Sequence, residues 1–202
     1  MTYLEFLAQI RREMEEPSEG VWSDSSFLVW TNQAARDFAK RTKCKRDEQY
    51  GTAVVGQYSY EMPDYTLEPV AVYYDNLMLR REDFDRWHNI STFDSTSGTP
   101  TTWASDGTSL FLWPTPASAG EIRYFRYRYP DPITEDDDLP FDGEFDDALA
   151  YYVKAKANEQ VNDWQSAAEL RGLYFESVDR AIGQQGIQRQ SLLVSTAPRE
   201  VY

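Results

Sequence analysis

The chain of 202 residues holds one cysteine and one histidine. Cys44 closes no internal disulfide by itself, so a reduced, cytoplasmic origin is the simpler expectation. A Ser-His-Asp or Cys-His catalytic set would have to use His88, and one Cys with one His cannot supply the usual nitrogen and sulfur ligands of zinc. His88 therefore reads as a surface or packing residue. Cys44 sits among Lys43, Lys45 and Arg46, a setting that favours the thiolate, but a bystander thiol is the plainer reading. No glycine-rich phosphate loop occurs. No run approaches the roughly 18 to 20 apolar residues of a membrane span, and "MTYLEFLAQIRREMEE" has no basic leader, so a soluble chain without an export signal is expected.

Basic residues are also scarce. Twenty Lys and Arg face 34 Asp and Glu, for a formal net charge of −14, while aromatic residues reach 15%. The charge is unevenly placed. Residues 131–147 hold nine acids and no base, and residues 36–46 hold six bases (Arg36, Lys40, Arg41, Lys43, Lys45, Arg46) against Asp37 alone. Such a chain binds bare nucleic acid poorly, since phosphate contact rests on an excess of Lys and Arg. It suits a complementary protein surface, or a wall past which DNA moves without sticking.

Periodicity gives the organisation. Tyr3, Leu4, Leu7, Ile10 and Met14 predict an amphipathic helix of about 15 residues ended at Pro17. Ser23 or Asp24 can cap a second helix whose stripe is Phe27, Trp30, Thr31, Ala34, Ala35 and Phe38. From about residue 51 the pattern turns to short segments rich in Val, Tyr, Phe and Trp, bounded by turn residues, which predicts strands; Asp106-Gly107 marks a hairpin. "REDFDRW", residues 81–87, reads as a short helical turn seating Phe84 and Trp87. Helical period returns with Phe145, Ala148, Leu149, Tyr152 and Ala155, and then with Trp164, Ala167, Leu170, Tyr174, Val178 and Ala181, stopped by Gly183 and Gly186. The remainder reads as an extended arm. The expected fold is α+β: a helical bundle of two N-terminal and two C-terminal helices (1–46 and 142–185), an inserted antiparallel β-sheet subdomain with an acidic link (47–141), and an extended C-terminal arm (186–202).

The carboxylates of "ITEDDDLPFDGEFDDALAYY", residues 133–152, are the remaining chemistry. An EF-hand loop started at Asp138 meets Pro140 where a ligand belongs and Leu149 where Glu is required, so that pattern fails. A glycosidase carboxylate pair has no diagnostic spacing here. The plain reading is a helix start, with Asp142 as cap and Glu144, Asp146 and Asp147 in the first turn, where the dipole and free amides favour anions. No catalytic residue, metal or cofactor is assigned.

Taken in order, "WSDSSFLVWTNQAARDFAKRT", "YEMPDYTLEPVAVYYDNLMLRREDFDRW" and the stretch from "GTPTTWASDGTSLFLWPTP" to "DDALAYYVKAKA" resemble the head-to-tail connector adaptor proteins of tailed bacteriophages. The similarity runs over roughly residues 3–182. Met62 stands for a usual Leu, and Phe145-Asp146 for a common aromatic-His pair. The resemblance implies a non-enzymatic virion protein, assembled in the host cytoplasm. It implies a homo-oligomeric ring, usually of twelve copies, that binds the portal protein and a tail or stopper protein and lines the DNA channel without reading sequence. Contacts with portal or neighbour are expected at Leu192, Leu193, Val194 and Tyr202. Charge pairing between subunits is expected from Arg36, Lys40, Arg41 and Lys43 to Asp136, Asp137 and Asp138. The alternatives are an acidic DNA mimic that occupies a basic protein site and, below it, a carboxylate-dependent glycoside hydrolase.

Overall fold

A computed structural model describes residues 1–16, 20–86, 96–141 and 143–195; at 144 and from 185 onward only the backbone is described. The chain forms two compact units, Met1–Cys44 with Pro130–Tyr202, and Lys45–Tyr129.

In the first unit, helix α1 (Tyr3–Glu13) starts on a reciprocal cap: Thr2 Oγ1 accepts from Glu5 N at 3.2 Å, and Glu5 Oε2 accepts from Thr2 N at 2.9 Å. This satisfies two amides that the first turn leaves without partners. Helix α2 (Asp24–Thr42) is capped by Ser23, as the sequence suggests, and ends where Lys43 turns left-handed at φ 52°. Pro17, the expected stop for α1, lies outside the described residues, and α1 already ends at Glu13. Helix α3 (Asp146–Gln160) follows a 3-10 turn, Gly143–Phe145, and helix α4 runs from Trp164 to Ser195. The stripes close on one another in a core that includes Phe6, Ile10, Phe27, Phe38, Leu149, Val153, Tyr174 and Val178.

Buried Arg11, 6% exposed, ties α1 to the start of α2. Its guanidinium donates to Asp24 Oδ1 at 2.5 and 3.0 Å and to Trp22 O at 3.0 Å, and lies 4.9 Å above the Phe27 ring. The charge is buried because every face of it has a partner.

Two expectations need correction. The helix does not stop at Gly183 or Gly186 but continues to Ser195, so residues 186–195 are not extended. Glycine costs about 1 kcal/mol in a helix interior relative to Ala, a penalty that does not terminate a helix unless a left-handed residue or proline follows. The acidic link groups with the helical unit rather than with the sheets, because Ile133 and Leu139 are buried in the helical core.

The second unit carries β1 (Arg46–Ala53), β2 (Ser59–Glu61), β3 (Thr66–Tyr74), β4 (Leu77–Met78), β5 (Arg80–Arg81), β6 (Ser97–Gly98), β7 (Thr102–Ser105), β8 (Ser109–Trp113), β9 (Thr115–Pro116) and β10 (Gly120–Arg128). They form sheets of order β1-β10-β3-β4 and β2-β8-β7-β5, with β6 and β9 as a separate pair. The first strand begins at Arg46, five residues before the change of period at residue 51. The long pairings are antiparallel as expected, but β5 with β7 and β6 with β9 run parallel. Val72, Tyr74, Trp103, Leu110, Leu112, Ile122 and Tyr124 fill the core shared by the two larger sheets. The Asp106-Gly107 hairpin is present, with Gly107 at φ 97° and Asp106 Oδ1 accepting from Thr108 N and Ser109 N. Phe84 opens a short helical turn and packs 5.2 Å from Phe111; Trp87 and His88 lie outside the described residues.

Arg126, 4% exposed, is the polar centre of this unit. It forms a two-pronged contact with Asp47 (2.7 and 3.0 Å) and donates to Pro63 O, Asp64 O and Thr66 Oγ1, holding the entry to β3. Burial opposes the charge on Asp47, but the Arg126 hydrogen bonds and charge outweigh it and hold its pKa below the usual carboxylate range. A depressed carboxylate stabilises the fold above the unfolded pKa and loses that contribution as pH falls through the folded value. Arg126→Met should therefore destabilise the β unit by roughly 3 kcal/mol at neutral pH. Denaturant melts should also show less acid sensitivity in the variant than in the wild type, since the Arg126 share of what holds Asp47 charged is already gone.

Candidate interaction surfaces

The acidic link is shaped by what pins it. Asn32, on the α2 side facing the link, donates from Nδ2 to Ile133 O at 3.0 Å and accepts from Ile133 N at 2.7 Å. Further along, Tyr3 N donates to Asp137 O at 2.9 Å, Leu139 N donates to Met1 O at 3.0 Å, and Thr2 pairs with Asp138 in an antiparallel bridge. With Ile133 and Leu139 turned inward, Glu135, Asp136, Asp137 and Asp138 are left outside and exposed. Asp137 Oδ2 accepts from the hydroxyl and the amide of Thr134, both at 2.7 Å, and these bonds hold its pKa low.

The start of α3 departs from the simple dipole reading. Phe145 occupies the cap position without a side-chain hydrogen bond, and Asp142 and the Glu144 side chain lie outside the described residues. Asp147 is exposed in the first turn, where the dipole favours it. Asp146 is only 5% exposed, and its Oδ1 has no hydrogen-bond partner among the described residues. Burial pushes its pKa up; the chain's amino terminus pulls against this and Asp147 adds to it.

The basic stretch is divided between the two units. Arg36, Lys40 and Arg41 lie exposed on α2, Lys43 caps its end, and Lys45 and Arg46 belong to the other unit. Arg41 is already engaged: it donates to Asp37 Oδ2 at 2.6 Å and lies 5.1 Å over Phe175, while the Tyr174 hydroxyl donates to the same oxygen at 2.7 Å. Burial, with Asp37 as acceptor, pushes the Tyr174 pKa up. Of the expected arm contacts, Leu192, Leu193 and Val194 fall in the last turns of α4, and Tyr202 lies outside the described residues.

Two surfaces escaped the reading of the sequence. One is the outer face of the four-stranded sheet, where Tyr50, Arg123, Tyr73 and Met78 stand in register across β1, β10, β3 and β4, with Glu48 and Phe125 in the next row. Arg123 lies 4.7 Å over Tyr73 and 5.9 Å over Phe125. The signal was alternation: Tyr73 and Phe125 stand between the buried pairs Val72/Tyr74 and Tyr124/Arg126. The other is the turn between α3 and α4, where Val161 and Trp164 are exposed. Aromatic residues with Met and Arg are the composition of protein interfaces. Among the described residues no group of three or more His, Cys, Asp or Glu could hold a metal ion, and no helix is long and apolar enough to cross a membrane.

Replacing Asn32 by Ala removes both partners of the Ile133 backbone. The expected outcome is faster amide exchange at Ile133, with a loss of about 1–3 kcal/mol in the stability of the helical unit. Unchanged protection at Ile133 would deny the clamp its role.

Comparison with known families accounts for the ordered motifs. The family described as SU10 adaptor protein matches residues 1–201, and the chain belongs to that family. No curated protein matches the chain.

Proposed function

We propose that this protein is a structural adaptor of a tailed-phage virion that forms a ring on the portal, joins the capsid vertex to the tail and extends the DNA channel. The family match over residues 1–201 carries this reading. The net charge of −14 supports it, since a strongly acidic wall lets a polyanion pass without adhering. So do the exposed aromatic surfaces, which suit contacts with several partners: portal, tail or stopper protein, and further copies of the chain.

Within a ring, the exposed acids of the link meet the basic side of α2 in the next copy. Lys40 with Asp136 and Asp138 are the best-placed residues, because all three are exposed while Arg41 and Asp137 have strong partners in their own chain; Arg36 is exposed on the same helix. Lys43 stands at the border of that surface. The end of α4, with Leu192, Leu193 and Val194, meets the portal or a neighbour as a helix rather than as an added strand.

Mass measurement of the purified protein with and without portal tests the whole reading. A ring on the portal is expected, whatever the state of the protein alone; one-to-one capture of an unrelated basic protein in its place would favour a DNA mimic. Deletion of residues 187–202 should abolish portal attachment, and attachment at wild-type strength would remove the α4 terminus from the interface. Lys40→Glu should weaken assembly about tenfold, with recovery on adding Asp136→Lys, read as the concentration needed for half-assembly.

A further inference from the structure

Trp164 is the first residue of α4 and 63% exposed, and Val161, just before it, is 46% exposed. Their backbone is held firmly. Asn162 is left-handed at φ 63°, Asp163 N donates to Asn158 O at 3.0 Å, and Asn162 N donates to Glu159 O at 3.2 Å, the paired bonds of a helix-ending Schellman turn. Asp163 Oδ1 then accepts from Ser166 N at 3.2 Å and starts α4. The apex of the α3–α4 hairpin thus presents an indole on a stiff support, the residue type that most often dominates binding energy when buried.

At the other end of the same hairpin lies a groove of about 190 Å³, lined by Phe145, Tyr151 and Leu173 together with the polar Asp147, Glu176, Ser177, Arg180 and Gln184. It is large enough for one aromatic side chain and offers both apolar contact and hydrogen-bond acceptors. Trp164 cannot fill its own groove: residues 173–180 stand 9 to 16 positions further along α4, about 14–24 Å away at the rise of a helix.

We infer that Trp164 of one copy seats in this groove of the next, an inference that rests on the ring-forming reading. Phe145, Tyr151 and Leu173 take the indole, the Asp147 and Glu176 carboxylates are the acceptors for its N–H, and Arg180 meets Asp163 beside it. Knob and groove occupy opposite ends of one hairpin, which makes the contact head-to-tail. Contacts of that kind close into a ring when the rotation per subunit allows it.

The test uses the full chain with Cys44→Ser, Val161→Cys beside the intact Trp164, and Ser177→Cys, assembled with portal under a mild thiol oxidant. A covalent ladder of subunits on a non-reducing gel is expected, with dimers only when the two single-cysteine chains are mixed. A ring of normal mass without the ladder overturns the knob-and-groove contact and leaves the adaptor reading standing; absence of any ring overturns both. Trp164→Ala in the wild-type background should raise the half-assembly concentration at least about tenfold with unchanged circular dichroism. Assembly at wild-type concentrations would equally refute the contact.

Discussion

The helical unit is held together by a clamp between distant parts of the chain. Asn32 grips both backbone groups of Ile133, and the first residues of the chain pair with Asp137, Asp138 and Leu139. Together with the packed core and the Tyr174–Asp37 and Lys154–Glu13 hydrogen bonds, these contacts join α1 and α2 to α3 and α4, which residues 45–129 separate in sequence. Bringing such distant segments together costs loop-closure entropy, which grows slowly with length but must be met before any contact forms. The clamp meets it with backbone bonds backed by two buried side chains, Ile133 and Leu139. It also explains why the link can be so acidic. Its conformation is set by its apolar residues, its backbone and the tie from Asp137 to Thr134, so Glu135, Asp136 and Asp138 can face outward.

Much of the fold was legible because it is local. The stripes of α1 and α2, the cap at Ser23 and the turn at Asp106-Gly107 each depend on residues within a few positions of one another. What stayed hidden is non-local or depends on burial. Asn32 reads as one more polar helix residue until Ile133 is placed against it, 101 positions away. Arg126 and Asp47, 79 positions apart, look like surface charges in alternating strands. Asp146 fits a dipole argument by position, yet burial reverses its electrostatics, which no spacing rule reveals. The length of α4 is hidden too, because Gly183 and Gly186 read as ends where each is only a modest penalty.

The surfaces follow the same division. Those carried by charge runs could be named in advance, though Arg36 and Lys40 belong to one unit and Lys45 and Arg46 to the other. Those carried by alternation, Tyr50, Tyr73, Met78 and Phe125, are strand residues of ordinary composition. They become a surface only when the register brings them into rows. An exposed tryptophan is similar: Trp164 belongs to the apolar stripe of α4 by period, but its place at the first turn leaves it beyond the core.

The way the β unit leaves and rejoins the chain has an architectural consequence. Arg128 N donates to Lys45 O, and Arg46 stands opposite Tyr127, so the entry and exit of the insertion are neighbouring strand ends. A module whose two ends lie side by side places little demand on its host. It can be excised behind a short turn, exchanged for another module with the same mouth, or enlarged at its far loops. The helical unit need register only that its two crossing points stay together. Residues 45–129 are in this sense a cassette, through which the same helical frame could be fitted to different neighbours.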